Sequence, residues 1–171
     1  CAAGAVVQER ALPDIAVYDH VAVQVSRREG FDTHETALQN AAWRDGLCAS
    51  TRERLEDGRR ITDSGIASAY SIRTNLIEET RALMQDADAV ITPTMHCTAP
   101  KLAERAELMS SGVPLLVRFA NCIGIPSITI PSGVGDDRLP FGLCLNGRNG
   151  KDHDLLKLAE LVAVELSRDP A

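Results

Sequence analysis

The feature that most constrains the fold is a change of pattern near residue 87. From Pro13 to about Asp86 the chain is rich in Ala, Leu, Val, Glu and Arg, which is typical of helices. After this point, short apolar runs alternate with prolines, which indicates buried strands between turns. Because short apolar strands between helices need cover on both faces, the pattern predicts an α/β fold, a layered α/β/α arrangement with a mixed sheet.

The helical part is divided by glycines and by one strong capping signal. Breaks at Gly30 and Gly46 predict two or three helices between residues 13 and 58. Thr62-Asp63 predicts the N-cap of a long helix that continues to about Asp86. This half is therefore expected to be mainly helical.

The first residues indicate that something precedes them. Gly4 is typical of a helix C-cap, and residues 5–8 are expected to form a short strand after it. A helix that ends at Gly4 would have to lie upstream of Cys1. The expectation is that this N-terminus was cut from a longer polypeptide, with a short leading coil as the alternative.

The second half contains three predicted strands and two predicted helices. Pro93 ends the first strand, and Pro126 and Pro131 bracket the second. Asp152 is expected to cap the last helix. The predicted elements are strands at 87–92, 127–130 and 141–146, and helices at 113–122 and from 152 onward.

Charge and cysteine content exclude several classes of protein. The 171 residues carry a formal charge of −6, with the basic residues scattered, so broad binding to nucleic acid is not expected. The longest uncharged run, 119–135, contains two prolines and Asn121, so it predicts strand and turn and not a membrane span. Five cysteines without a CxxC pair predict buried thiols in a reducing compartment, and therefore a cytoplasmic protein.

The catalytic signatures of common enzyme classes are absent from the sequence. There is no nucleophile elbow, no Ser-x-x-Lys, no glycine-rich phosphate loop and no paired histidines of a zinc helix. The segment Asp152-His153-Asp154 opens a helix, where acidic residues favour the positive end of the dipole. No metal site and no cofactor are predicted.

The second half instead carries an ordered series of short motifs. Residues 89–94 end a strand on Thr-Pro-Thr, and Ala99-Pro100 follows a few residues later. Residues 121–126 then read Asn-x-x-Gly-x-Pro, 139–143 read Leu-Pro-x-Gly-Leu, and 154–156 read Asp-Leu-Leu. In this order and spacing the series resembles the C-terminal region of the amidase signature family, and the likeness covers essentially the whole chain.

The resemblance implies both an activity and a missing part. Family members hydrolyse carboxamides through an acyl-enzyme, using a Ser–cis-Ser–Lys triad in an upstream Gly/Ser-rich segment. This sequence lacks that segment, so no residue here takes a catalytic role and the chain alone is expected to be inactive. Residues 1–171 are then the C-terminal part of one amidase domain, with 1–86 mainly helical and 87–171 containing the strands and motifs.

The resemblance also gives a candidate substrate-binding loop. Thr94, Met95 and His96 follow the first strand and are expected to line the acyl pocket, with a purely connecting loop as the alternative. His96 itself is expected to be a packed, hydrogen-bonded loop histidine. Asn121 is expected to be structural and to tie the backbone of its own loop together.

The same resemblance bears on the substrate class and the partners. The branch that amidates tRNA-bound glutamate usually carries an acidic residue shortly before the asparagine of the Asn-x-x-Gly-x-Pro motif. Here Arg118 is the only charged residue in 114–120, which favours a stand-alone amidase. The expected partners are a small amide substrate and the upstream part of the same protein, with a homo-oligomer as a further possibility.

Two other hypotheses remain open from the sequence. The chain is a non-catalytic interaction or regulatory module that pairs with another chain through an exposed sheet edge. Alternatively, it is an unrelated α/β domain that binds a small molecule.

Overall fold

The computed structural model describes residues 4–104 and 115–168. Within them, the chain forms helices first, then a small sheet, then a last helix. A short 3-10 turn lies at Leu102–Glu104. The helices are α1 Ile15–Leu38, α2 Ala41–Gly46, α3 Ala49–Arg59, α4 Asp63–Leu83, α5 Leu115–Ile123 and α6 Asp152–Arg168, and the strands are β1 Ala89–Pro93, β2 Ser127–Val134 and β3 Pro140–Gly147.

Helix α1 is longer than the sequence predicted, because Gly30 does not break it. A β-carbon at Gly30 would lie 3.4 Å from Leu55 Cδ2, and one at Gly58 only 2.0 Å from the carbonyl oxygen of Arg27. The glycine at position 58 thus lets α1 and α3 approach closely, whereas a β-carbon at Gly30 would make only an ordinary van der Waals contact. The break predicted at Gly46 is confirmed, since α2 ends there.

The predicted cap of α4 is confirmed. The Thr62 hydroxyl accepts a hydrogen bond from the Gly65 backbone N–H at 3.1 Å, which satisfies one of the free donors at the helix start. The strand expected at residues 5–8 is wrong: this segment is an exposed coil. It is held to the end of α4 by Arg10, which donates to the Leu83 carbonyl at 2.6 Å and pairs with Asp86 at 2.6 Å.

The helices enclose an apolar core centred on two aromatic rings. Tyr18 on α1 and Phe119 on α5 are both fully buried and meet edge to face, with ring centroids 5.4 Å apart. The Tyr18 hydroxyl is not left unpaired, because it forms a 2.7 Å hydrogen bond with Thr80 of α4. The buried residues of this core are Tyr18, Val21, Val25, Ala69, Leu76, Phe119, Ala120, Cys122 and Ile123.

The three strands form one antiparallel sheet with the order β1-β3-β2. In this register Leu145 of β3 faces Ile91 of β1 and Ile128 of β2. The α/β class is confirmed, and every strand pair in the described residues is antiparallel, without the parallel pairing of a mixed sheet. Helix α6 covers one face, where Leu155 and Ala159 pack on the sheet.

Strand β2 continues beyond Pro131, where the sequence predicted its end. The Gly147 N–H donates to the Pro126 carbonyl at 2.9 Å, so residues 126, 128 and 130 are the ones that bond to β3. Pro131 therefore stands at a position whose N–H would face away from β3, and its missing donor costs no ladder bond.

Strand β1 is also an edge strand, and this explains why it is less buried than predicted. The Thr94 N–H donates to the Gly142 carbonyl at 2.9 Å, so the backbone groups of Ile91 point away from β3. The side chain of Ile91 is 48% exposed.

In the described part of the chain, no helix is both long and apolar enough to cross a membrane.

Candidate functional site

The face of the sheet opposite α6 is polar. Side chains alternate along each strand, so the residues between the apolar Ile128, Ile130 and Leu145 point to this side. We call this surface the polar face; it consists of Val90, Thr92, Thr94, Ser127, Thr129, Pro131, Gly142, Cys144 and Asn146.

Asn146 organises the centre of the polar face. It is fully buried, and its side-chain oxygen accepts a hydrogen bond from the Ser127 hydroxyl at 2.6 Å. Its amide nitrogen donates to the Val90 carbonyl and to the Thr92 hydroxyl, both at 3.3 Å. One buried amide therefore links all three strands, which is the condition under which a buried polar group is tolerated.

The predicted substrate-binding residues lie at the end of the polar face, directly after β1. Thr94 and Met95 are half-buried, and His96 is exposed. The Thr94 hydroxyl donates to the Thr129 hydroxyl at 3.1 Å, which joins the loop to the far strand. The expectation that His96 is a packed histidine is wrong.

Further along, the same loop is tied to the turn between β2 and β3. The Thr98 hydroxyl donates a short hydrogen bond to one Asp137 oxygen, and the Leu139 N–H donates to the other at 3.0 Å. These two bonds hold the pKa of the Asp137 carboxyl below its usual value, and the Thr98 bond has the larger effect. The loop is thus fixed at both ends while His96 faces solvent.

A separate groove of about 1200 Å³ lies between the helices. Arg118 forms an ion pair with Asp19 across α5 and α1 there, and Arg73 Nε donates to the Cys122 carbonyl at 2.5 Å. None of Thr94, Met95 and His96 lines this groove. The structure therefore places the charged groove and the predicted substrate loop apart.

The asparagine of the Asn-x-x-Gly-x-Pro motif does not do what the sequence predicted. Asn121 was expected to tie the loop backbone together, but its side chain is exposed on α5. The Gly124 carbonyl instead receives a 2.7 Å hydrogen bond from the Asn149 side chain. Gly124 itself has a φ of 70°, which favours glycine at this helix end.

The cysteines divide into buried and exposed thiols. Cys122 and Cys144 are buried as predicted, and burial raises the pKa of Cys122. Cys48 was expected to be buried and is exposed, at the start of α3. Hydrogen bonds from Ser50 and Thr51 lower the pKa of its thiol to about 7.

The remaining sequence candidates add no site. Asp152 and Asp154 lie in the first turn of α6, as predicted from the helix dipole. No group of three or more His, Cys, Asp or Glu side chains in residues 4–104 and 115–168 is arranged to hold a metal ion. Residues 110–112, whose Ser-Ser-Gly sequence is typical of a loop, lie outside the described residues.

Sequence signals for the rest of the polar face were weak. Asn146, Thr129 and Asp137 looked like ordinary strand and turn residues, because their importance depends on which strands pair and in which register. A polar residue at the end of the apolar run 141–145 was the one available hint for Asn146.

Comparison with known proteins agrees with this architecture. A crystal structure of an amidase superimposes with a TM-score of 0.82 at 24% identity, over 96% of this chain and 38% of that one. At this identity the likeness concerns the fold. Among curated relatives, the fatty acid amide hydrolase of Arabidopsis thaliana is 30% identical over 123 residues, 68% of this chain and 20% of the relative.

A second relative extends the match to nearly the whole chain. A glutamyl-tRNA(Gln) amidotransferase subunit from Parvibaculum lavamentivorans is 28% identical over 196 aligned positions, 98% of this chain and 38% of the relative. The chain thus spans between a fifth and two fifths of these proteins. The sequence model described as Amidase matches residues 2–156, most of the length, and this chain belongs to the amidase family.

Proposed function

We propose that this chain is the C-terminal portion of an enzyme that hydrolyses carboxamide C–N bonds of small substrates through an acyl-enzyme. The observation that carries the proposal is the match of the amidase family over residues 2–156, together with the superposition on an amidase. The catalytic residues would lie in the part of the relatives that this chain does not span.

The lysines of the chain support the view that the reaction is not completed here. A lysine acts as a base or nucleophile when desolvation or a neighbouring positive charge lowers its pKa. Lys101, Lys151 and Lys157 are the three lysines in the sequence, and all are exposed. Lys151 Nζ lies 3.6 Å from an Asp154 carboxylate oxygen.

Within the complete enzyme, we place Thr94, Met95 and His96 at the substrate. The loop leaves the polar face at a point fixed by the Thr94 backbone bond to Gly142, while its middle residue, His96, faces solvent. A fixed backbone with an exposed side chain is the arrangement expected of a loop that contacts a ligand. Thr94 offers a hydroxyl, Met95 an apolar side chain and His96 an imidazole.

We propose a stand-alone amidase in preference to a tRNA-dependent transamidase. Arg118 is neutralised by Asp19 of α1, so this position presents an ion pair and no free acidic group. Because the cysteines of the described residues are free, we place the enzyme in a reducing compartment, the cytoplasm.

The first experiment reads the coding sequence upstream of Cys1 and expresses the complete frame beside the isolated chain. Ammonia or amine release from a panel of small carboxamides is then measured. We expect hydrolysis by the complete protein, its loss when the upstream serine nucleophile is replaced, and none by the isolated chain. Serine-dependent hydrolysis by residues 1–171 alone would contradict the proposal.

A second candidate function has its own structural support. Both outer strands of the sheet are open in the described residues, with the backbone groups of Ile91 and Thr129 directed away from β3. Open strand edges pair readily with another chain, so the protein would serve as a non-catalytic module. A start codon directly before Cys1, with a stable hetero- or homo-oligomer in light scattering, would favour this function over the first.

A further inference from the structure

The hydroxyl pair of Thr94 and Thr129 forms across the middle strand of the sheet. Thr94 follows β1 and Thr129 lies on β2, the two outer strands. Two strands separated by a third lie about 9.5 Å apart, twice the spacing of neighbours. For the hydroxyl oxygens to approach to 3.1 Å, both side chains must lean over β3.

At the crossing point β3 carries Gly142. A β-carbon there would lie 2.6 Å from Thr129 Cγ2 and 2.9 Å from Thr94 Oγ1, closer than non-bonded atoms approach. The backbone of Gly142 does not have a positive φ, so the requirement is for space and not for a special conformation. Any side chain at this position must displace one of the two threonines.

The direction of the hydrogen bond leaves one donor available. A hydroxyl has a single hydrogen, and Thr94 uses its own to bond to the Thr129 oxygen. Among the described residues, no group accepts the hydrogen of Thr129, and its side chain is exposed. The pair therefore presents one unused O–H donor beside the predicted substrate loop.

We propose that Thr129 contacts the ligand beside the predicted substrate loop, donating its hydroxyl hydrogen to the carbonyl oxygen of a carboxamide. Gly142 is the positioning residue that lets Thr94 hold Thr129 in place. The proposal rests on the proposed amidase function, and its two halves are tested separately so that either one can fail alone.

The positioning half is tested on the 171-residue chain by NMR of its ¹³C-methyl-labelled methionines. Met95 follows Thr94 directly. Met84 follows the last residue of α4, is 2% exposed and therefore reports on the fold. We expect Gly142→Ala to shift the Met95 methyl resonance and leave that of Met84 unchanged. Gly46→Ala is the matched control, because a β-carbon there meets nothing within 4 Å.

A second variant keeps this test decisive if Gly142→Ala fails to fold. Thr129→Val has nearly the same shape, adds no atom over Gly142 and removes the bond to Thr94, so it should also shift Met95. An unchanged Met95 resonance in a folded Gly142→Ala or Thr129→Val chain overturns the positioning role.

The contact half is tested in the complete enzyme by steady-state kinetics on a small carboxamide. Loss of a hydrogen bond to the substrate carbonyl oxygen, which gains negative charge as the amide is attacked, predicts that Thr129→Val lowers kcat/KM about fivefold to tenfold. Thr129→Ser keeps the hydroxyl and should restore kcat/KM. Thr74→Val is the control, since the Thr74 hydroxyl donates only to the Tyr70 carbonyl of its own helix.

The outcomes separate this inference from the proposed function. If the complete protein hydrolyses no amide, the amidase proposal fails and the contact role of Thr129 fails with it, while the Met95 shift still decides the role of Gly142. If hydrolysis is normal and Thr129→Val leaves kcat/KM unchanged, or Thr129→Ser does not restore it, the contact role is overturned while the amidase proposal stands.

Discussion

The helical region and the sheet differ in the kind of side chain that they bury. The helices close around Tyr18 and Phe119, and the described interior between them is almost entirely apolar. The sheet has an apolar face under α6, but its other face is held together by the hydrogen bonds of Asn146. The stability of the first region is thus expected to depend on packing volume, and that of the second on satisfied polar groups.

This difference explains where the candidate site lies. An apolar, closed core leaves few polar groups for contacting a ligand, whereas the polar face carries hydroxyls that are already aligned by strand pairing. Thr94 and Thr129 are members of that set. The predictions below test the contrast, beginning with the change that should cost the most stability.

Removing the aromatic centre of the helical core should have the largest effect. Phe119 is fully buried and packs against Tyr18, so Phe119→Ala leaves a cavity and should destabilise the fold by about 4 kcal/mol. Urea unfolding followed by circular dichroism measures the change. Val134→Ala is the control, because Val134 is 63% exposed and its loss should cost less than about 0.5 kcal/mol. If Phe119→Ala and Val134→Ala lower the stability equally, Phe119 does not lie at the centre of a packed helical core.

The close contact between α1 and α3 is tested at Gly58. Its β-carbon would lie 2.0 Å from the Arg27 carbonyl oxygen, so Gly58→Ala must separate the helices. We expect a loss of about 2 kcal/mol in the same urea assay, the overpacking cost reduced by the better helix propensity of alanine. Gly46→Ala, which meets nothing, should be neutral or slightly stabilising. A stable Gly58→Ala chain would show that α3 is not packed as described.

The glycines also show which parts of the fold the sequence could predict. Thr62 marked a helix start correctly, because a cap acts on backbone groups two or three residues away. Asp152 was expected to cap the last helix and is instead its first residue. Gly30 was wrongly predicted to break a helix. It lies inside α1, where it packs beside Leu55 of α3, and a local sequence pattern does not contain that contact. Pro131 was wrongly predicted to end a strand. A proline fits within β2 because its nitrogen faces away from β3, and this depends on the strand register.

The candidate site divides in the same manner. The sequence could point to residues 94–96 as a candidate loop, since a family resemblance is carried by local motifs, and its contact with substrate stays a prediction. Thr129, Asn146 and Asp137 could not be predicted, because each is important through a partner on another strand or turn. Strand register is a long-range property that local motifs do not contain.

The hydrogen-bonded centre of the polar face is tested at Asn146. Asn146→Ala leaves the Ser127 and Thr92 hydroxyls and the Val90 carbonyl without their partner, at an expected cost of about 2 kcal/mol in urea unfolding. Asn121→Ala removes an exposed amide and serves as the control. If the two variants are equally stable, the sheet does not depend on its polar network.

The smallest expected effect concerns the anchor of the substrate loop. The Thr98 and Leu139 bonds lower the pKa of Asp137, so the ionised carboxylate is favoured in the folded chain. A carboxyl with a lowered folded pKa stabilises the fold above its unfolded pKa of about 4 and loses this contribution as pH falls through the folded value. The Leu139 amide proton should therefore titrate in NMR with a midpoint below 3.8, the ordinary value.

Thr98→Val should move the Asp137 midpoint upward toward its ordinary value, because the largest cause of the shift is removed. Thr74→Val, which removes a hydroxyl on α4, should leave the midpoint where it is. Since Asp137 is solvent-accessible, the accompanying change in stability should be smaller than those of the three core variants. A midpoint at or above the ordinary value in the unmodified chain would mean that the loop is not anchored at this turn. Residues 94–96 would then be held to the polar face by the Thr94 contacts alone. The hydrogen-bonded part of the sheet would extend only to Gly142, the partner of Thr94, and the loop would not belong to it.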